Sequence, residues 1–155
     1  MGTYKIKDGV LESYYVDEND NGKTVVPKGV VKIGHSAFLG EDNLGTVYLP
    51  DGVKIIGDSA FADCYGLTEV ILPSSVQRIE SEAFYSNDMQ QITLPRGLKY
   101  LGWGALGNCL ILKKINYLGT VAEFKKIELE EPIFNMSNAT KTITCTDGKV
   151  TLRDY

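Results

Sequence analysis

The sequence predicts a β-rich α/β solenoid, and three observations carry that expectation. Prolines recur at Pro27, Pro50, Pro73 and Pro95, spaced by 23, 23 and 22 residues. The pairs Ala37-Phe38, Ala60-Phe61, Ala83-Phe84 and Ala105-Leu106 keep the same spacing. Glycine supplies 16 of 155 residues, above the average of about 7%, and so asks for many turns. A unit this short cannot bury its own apolar face. Copies must therefore stack, each touching only its neighbours.

The clearest copy runs from Leu49 to Ile71 and reads LPDGVKIIGDSAFADCYGLTEVI. Its last part, Leu67 to Leu72, alternates as a strand, and the following proline ends it because proline has no N–H to give to a ladder. Stacking turns equivalent positions into interior columns. Val47, Val70, Ile92 and Ile115 form one, and Ile33, Ile56, Ile79 and Leu101 a second. Phe38, Phe61, Phe84 and Leu106 fill the wide end, while Ala37, Ala60, Ala83 and Ala105 mark a place where backbones approach closely. Gly34, Gly57 and Gly102 are expected to turn the chain into a short helical or 3₁₀ segment carrying Ala-Phe. The third copy lacks one residue between Phe84 and Met89.

These residues resemble the BspA-type leucine-rich repeats of bacterial surface proteins and of some protozoan ones. The resemblance covers Val26 to Asn116 and implies a right-handed leucine-rich-repeat superhelix with a strand on each side of every coil. Leu106 for Phe, Glu80 for Gly and the missing residue depart from the pattern; they touch local geometry and leave the fold intact. The resemblance also implies a non-catalytic protein-interaction or adhesion module at a cell surface or secreted.

Four repeats over residues 26–116 leave 1–25 and 117–155 as caps on one domain. Tyr4–Val16 and Lys23–Val26 read as two strands of a hairpin joined across Asp17-Glu18-Asn19-Asp20-Asn21-Gly22. At the other end Thr120-Val121-Ala122-Glu123 is a capping box, and Val121, Phe124 and Ile127 give the short helix one apolar face. Lys141–Thr146 and Lys149–Arg153 flank Asp147-Gly148, a two-residue hairpin signal. With both ends covered, a complete capped domain is expected.

Little in the composition points to catalysis. Sixteen basic and 20 acidic residues give a net charge of −4, the wrong sign for a nucleic-acid binder. Met1–Lys7 lacks the apolar run of a signal peptide, and no apolar stretch is long enough to span a membrane. Asp17-x-Asn19-x-Asn21-Gly22 matches the first half of a calcium loop, but the place of its closing Glu holds Lys28. A polar loop without metal is expected there. Cys64 and Cys109 hold one repeat position two coils apart, roughly 9–10 Å, beyond the Cα separation of a disulfide. Asn87 takes that position between them, so both thiols read as buried structural groups, with Cys145 unpaired. His35, the one histidine, reads as a surface turn residue with no nucleophile to serve. Asn135-Met136-Ser137 and Asn138-Ala139-Thr140 match the glycosylation sequon and read as polar loops. No enzyme and no cofactor is expected.

The surface columns are where binding belongs. Beside the inward residue of each long strand stand Thr46 and Tyr48, Glu69 and Ile71, Gln91 and Thr93, Lys114 and Asn116. This mixed face, with Tyr48, Glu69, Ile71, Gln91 and Lys114 as its candidate contacts, suits a polar protein partner. On the other strand the equivalent pairs are Val31 and Lys32, Lys54 and Ile55, Gln77 and Arg78, Lys99 and Tyr100. Lys32, Lys54, Arg78 and Lys99 thus zigzag as a basic stripe with no acid among the eight positions. They either keep the sheet from sticking to others or dock an anionic polymer or acidic protein. A glycan module would use Tyr48, Tyr100 and Trp103, although these come from different columns.

Overall fold

The structure is a computed structural model and describes residues 2–17, 22–134 and 141–152. The chain winds as a β-solenoid of about five turns with little helix. Each coil contributes a long strand, a two-residue strand and a pair of turns, and like segments bond from coil to coil.

Five two-residue strands and the two longer N-terminal ones build a seven-stranded sheet. Its order is β1 (Thr3–Lys7), β2 (Val10–Tyr15), β4 (Lys32–Ile33), β6 (Ile55–Ile56), β8 (Arg78–Ile79), β10 (Tyr100–Leu101) and β12 (Glu128–Leu129). All neighbours from β2 onward are parallel, so the ladder has six parallel members rather than the four expected. The N-terminal hairpin also differs from expectation. Tyr4–Val16 folds on itself about Asp8 and Gly9, whose φ values of 50° and 76° are those of a tight turn suited to a hairpin. Lys23–Val25 is β3 and pairs elsewhere, parallel with β5 (Gly45–Tyr48).

The long strands form two sheets. One has the order β3, β5 and β7 (Leu67–Ile71). The other runs β14 (Lys149–Leu152), β13 (Lys141–Thr144), β11 (Lys114–Tyr117) and β9 (Gln91–Leu94). After β5, β7 and β9 the chain turns at its proline, with Val53, Val76 and Leu98 N–H donating to the carbonyls of Pro50, Pro73 and Pro95.

The Ala-Phe segments are turns, not helices. Their pivots are Ser36, Ser59 and Glu82, all with φ near 54°, and Gly104 at 60°. A second left-handed column holds Gly40, Asp63, Ser86 and Asn108. The glycines expected to make this turn serve instead to admit the neighbouring coil. A Cβ on Gly57 would lie 2.7 Å from the Ile33 carbonyl of the preceding coil. That carbonyl accepts the Gly57 N–H at 2.8 Å, so the missing side chain is what lets adjacent coils bond.

The alanine column behaves as expected, since Phe38, Phe61 and Phe84 N–H donate to the carbonyls of Ala60, Ala83 and Ala105. The rings stack, Phe38 on Phe61 at 4.6 Å and Phe61 on Phe84 at 5.3 Å. Tyr14 continues the column at one end, and Leu106 N–H donates to Ile133, which puts Ile133-Phe134 in the Ala-Phe place of a further coil.

The C-terminal helix α1 (Val121–Phe124) has the capping box in full. The hairpin of β13 and β14 is closed by a four-residue loop, Cys145–Gly148, instead of two residues. The Asp147 carboxylate in this loop accepts the Val121 N–H at 2.7 Å and supplements the helix cap.

Candidate functional site

Two faces carry the candidate residues, and the register tells which of them meet. On the long-strand face, alternation buries Val47, Val70, Ile92 and Ile115 and turns their neighbours outward. Val25, Tyr48 and Ile71 stand directly opposite one another on three adjacent strands. They are 54%, 38% and 41% exposed, an apolar row on open surface. Val25 belongs to the row because β3 lies in this sheet and not in a hairpin, a pairing that its own residues do not announce. The Lys23 ammonium lies 4.9 Å from the centre of the Tyr48 ring.

The second outward column runs Lys23, Thr46 and Glu69, then Gln91 and Lys114. It is interrupted in the middle. No ladder joins β7 to β9, although the coils remain in contact. The cause lies in two local irregularities. On β7, Gly45 opposes Leu67 while Thr46 opposes Glu69, so Thr68 is bulged out. The next coil is the one that lacks a residue, and Asn87 reaches Met89 across two positions to accept its N–H. A strand with a bulged residue therefore abuts a coil one residue short, and no ladder forms between β7 and β9.

At that break lies a cleft of about 490 Å³, lined by Thr68, Glu69, Asp88, Gln90, Gln91, Lys113 and Lys114. Three of the candidate residues, Glu69, Gln91 and Lys114, meet in it. Gln91 spans the gap by donating from Nε2 to Glu69 Oε1 at 3.2 Å. The far wall is regular, with the Gln90 carbonyl accepting the N–H groups of Lys113 and Lys114. Tyr48 and Ile71 lie on the same face outside the cleft.

The basic stripe sits on the other sheet and is weaker than its sequence suggests. Lys32 opposes Ile55, Ile55 opposes Arg78, and Arg78 opposes Tyr100, so the zigzag is real. Arg78 is compensated: its guanidinium is 3.8 Å from Glu80 and 4.0 Å above the Tyr100 ring. The ladder then continues to Glu128, so the row ends in an acid. Tyr100 donates its hydroxyl to Glu130, which pushes the phenol up to about 12 and holds the carboxyl below its usual range. Trp103 N–H bonds the same carboxylate, so Tyr100 and Trp103 share a corner that Tyr48 does not reach.

The interior polar groups are consumed by the fold. Cys64 and Cys109 donate to the carbonyls of Phe38 and Phe84 at 3.0 and 3.1 Å. Burial pushes these thiols up to about 12 and about 11, which keeps them protonated and non-nucleophilic at neutral pH. All three cysteines are free. Most of the Asp17–Gly22 loop and both glycosylation sequons lie outside the described residues. Among the described residues no group of three or more His, Cys, Asp or Glu side chains converges as a metal site, and no helix is long and apolar enough to cross a membrane.

The family model for the BspA type leucine rich repeat region matches residues 11–130 in six copies. The chain belongs to that family. Six copies agree with the six parallel strands and replace the four expected from the sequence. The fold is shared with solved bacterial proteins. A leucine-rich repeat protein from Bacteroides capillosus is 25% identical at a TM-score of 0.60, with 93% of each chain covered. The pneumococcal vaccine antigen PcpA is 24% identical at a TM-score of 0.66, over 91% of this chain and 32% of that one. A leucine rich cell surface protein of Faecalibacterium prausnitzii is 22% identical at a TM-score of 0.55, over 82% and 40%. The chain thus spans well under half the length of these last two. No curated protein matches it.

Proposed function

We propose that this member of the BspA type leucine-rich repeats is a non-catalytic interaction or adhesion module that docks another protein on its long-strand face. The observation that carries the reading is the row of Val25, Tyr48 and Ile71, three apolar side chains in register on successive strands and open to solvent. A rigid ladder holds them at the strand spacing of about 4.8 Å, so a partner meets a fixed surface. Aromatic and aliphatic side chains at the centre of a patch, with charged groups around them, match the make-up of protein interfaces. Surface or secreted placement is supported by the relatives, one of which is a cell surface protein and another a vaccine antigen.

A photo-crosslinking residue placed at Tyr48 or Ile71, and for comparison at Lys54 or Lys99 on the other sheet, tests this. Crosslinks to a host or bacterial surface extract should form from positions 48 and 71 and not from 54 and 99. The reverse pattern would overturn the choice of face and favour the second reading, an anionic polymer on Lys32, Lys54, Arg78 and Lys99. That reading is favoured only by the in-register zigzag, and the compensation of Arg78 tells against it.

A further inference from the structure

The cleft at the ladder break has charges of both signs, and they are not spent on one another. Glu69 and Asp88 belong to two successive coils, Lys113 and Lys114 to the next. Among the described residues none of these four forms an ion pair, and Glu69 receives only the amide of Gln91. Opposite charges so placed are separated along the stack by one to two strand spacings, about 5–10 Å. The facing edges of β7 and β9 also lack the backbone bonds that join the other coils of this face. The volume of about 490 Å³ falls within the usual range of ligand clefts.

We propose that this cleft binds a short peptide segment bearing one cationic and one anionic side chain, the cation against Glu69 and Asp88 and the anion against Lys113 and Lys114. In an extended segment, side chains two residues apart project to the same side about 7 Å apart, and the flexible ends of Lys and Glu cover the remainder. Gln90 and Gln91 stand between the two poles and can bond the peptide backbone. A segment with two like charges leaves one pole facing its own sign, so the cleft selects for mixed charge and not for charge as such. The inference rests on the reading of this face as the docking surface.

The probe is the blocked tripeptide acetyl-Lys-Ser-Glu-amide, with acetyl-Lys-Ser-Lys-amide and acetyl-Glu-Ser-Glu-amide as controls. Binding is followed through the backbone amide resonances of Thr68, Gln91 and Lys114. The mixed peptide should give saturable shifts at these amides, and the controls should bind at least threefold more weakly. Glu69→Gln or Lys114→Gln should each weaken binding about two- to fivefold, the range for one exposed ion pair. Glu69→Lys and Lys114→Glu should each weaken it further, because each puts a charge of the wrong sign into its own pole beside Asp88 or Lys113. All these positions are at the surface, and melting curves verify that each variant folds. No saturable shift at about 10 mM peptide, equal binding of the controls, or charge-reversed variants that bind as well as the original overturns the proposal. If crosslinks still form at positions 48 and 71, the cleft alone has failed; if none form there, the choice of face has failed.

Discussion

Replacing Phe61 with alanine tests whether the stacked ring column is what binds one coil to the next. Phe61 is fully buried, and its ring lies 4.6 Å from that of Phe38 and 5.3 Å from that of Phe84, tilted by only 11° and 7°. Truncating a buried phenylalanine costs about 3–5 kcal/mol. Each aromatic pair adds about 0.5–1.5 kcal/mol beyond its area, so the loss of two places Phe61→Ala near the upper end, at about 4–5 kcal/mol. Phe61→Leu keeps most of the volume, as Leu106 does in its own coil, and loses mainly the ring terms, about 1–3 kcal/mol. Urea unfolding followed by circular dichroism measures both. With a slope of about 2 kcal/mol per molar, the alanine variant should lose about 2 M of midpoint and the leucine variant about 1 M. Hydrogen exchange should quicken at the Phe38, Phe61 and Phe84 amides, which bond from coil to coil, and change least in the β13 and β14 hairpin. An alanine variant that loses under 1 kcal/mol, or a leucine variant as damaged as the alanine one, would refute the reasoning.

Three further outcomes follow from single features. Glu82→Gly should raise the melting temperature, since relief of a left-handed residue at φ 54° is worth about 1–2 kcal/mol and the added freedom of the unfolded chain returns about 0.4–1 kcal/mol; a lower melting temperature would count against it. Cys64 and Cys109 stay protonated in the fold while an unfolded thiol ionises near its ordinary value of 9.0. Their contribution is therefore complete below that value and lost as pH rises toward about 11 and 12, and the double change Cys64→Ser with Cys109→Ser should flatten this alkaline loss in urea titrations. Glu123 has the opposite sign, because the Arg96 guanidinium and the Thr120 N–H hold its carboxyl below the usual range. Its contribution is present above the ordinary carboxylate value and lost as pH falls through the lowered one, so Glu123→Gln should reduce the acid sensitivity of the C-terminal hairpin amides.

What the chain spells out is what the period repeats. The interior columns, the alanine contacts and the helix cap at Thr120 are all legible, because each repeated apolar position or capping pair has one physical use in a stack. The end coils are not legible. Val10-Leu11 and Glu128-Leu129 carry the ladder without the Gly-x-x-Ala-Phe run that follows it in the middle coils, so the period alone yields four repeats. Asp8-Gly9 is the turn signal that marks the true hairpin. The left-handed pivots are hidden for a different reason. Ser36, Ser59 and Glu82 do not favour positive φ; each is held there by an N–H bond to the next coil, at Asp58, Ser81 and Trp103, and by a carbonyl that accepts from its own turn, at Leu39, Ala62 and Tyr85.

The same contrast accounts for where a binding site arises. A regular ladder presents identical rows, and identical rows distinguish partners poorly, since each coil repeats the same backbone and only side chains vary. Regularity fails here at one place, where the bulged Thr68 meets a coil short by one residue. A stack tolerates that mismatch because each coil depends only on its neighbours, and the interior columns pass through unbroken, with Val70 and Ile92 both buried. The cost of the mismatch falls on the surface layer alone. There it opens a cleft, leaves charges of both signs without an ion pair among the described residues and sets the cleft beside the apolar row of Val25, Tyr48 and Ile71. The defect in the repeat thus gives this surface a position with both shape and polarity.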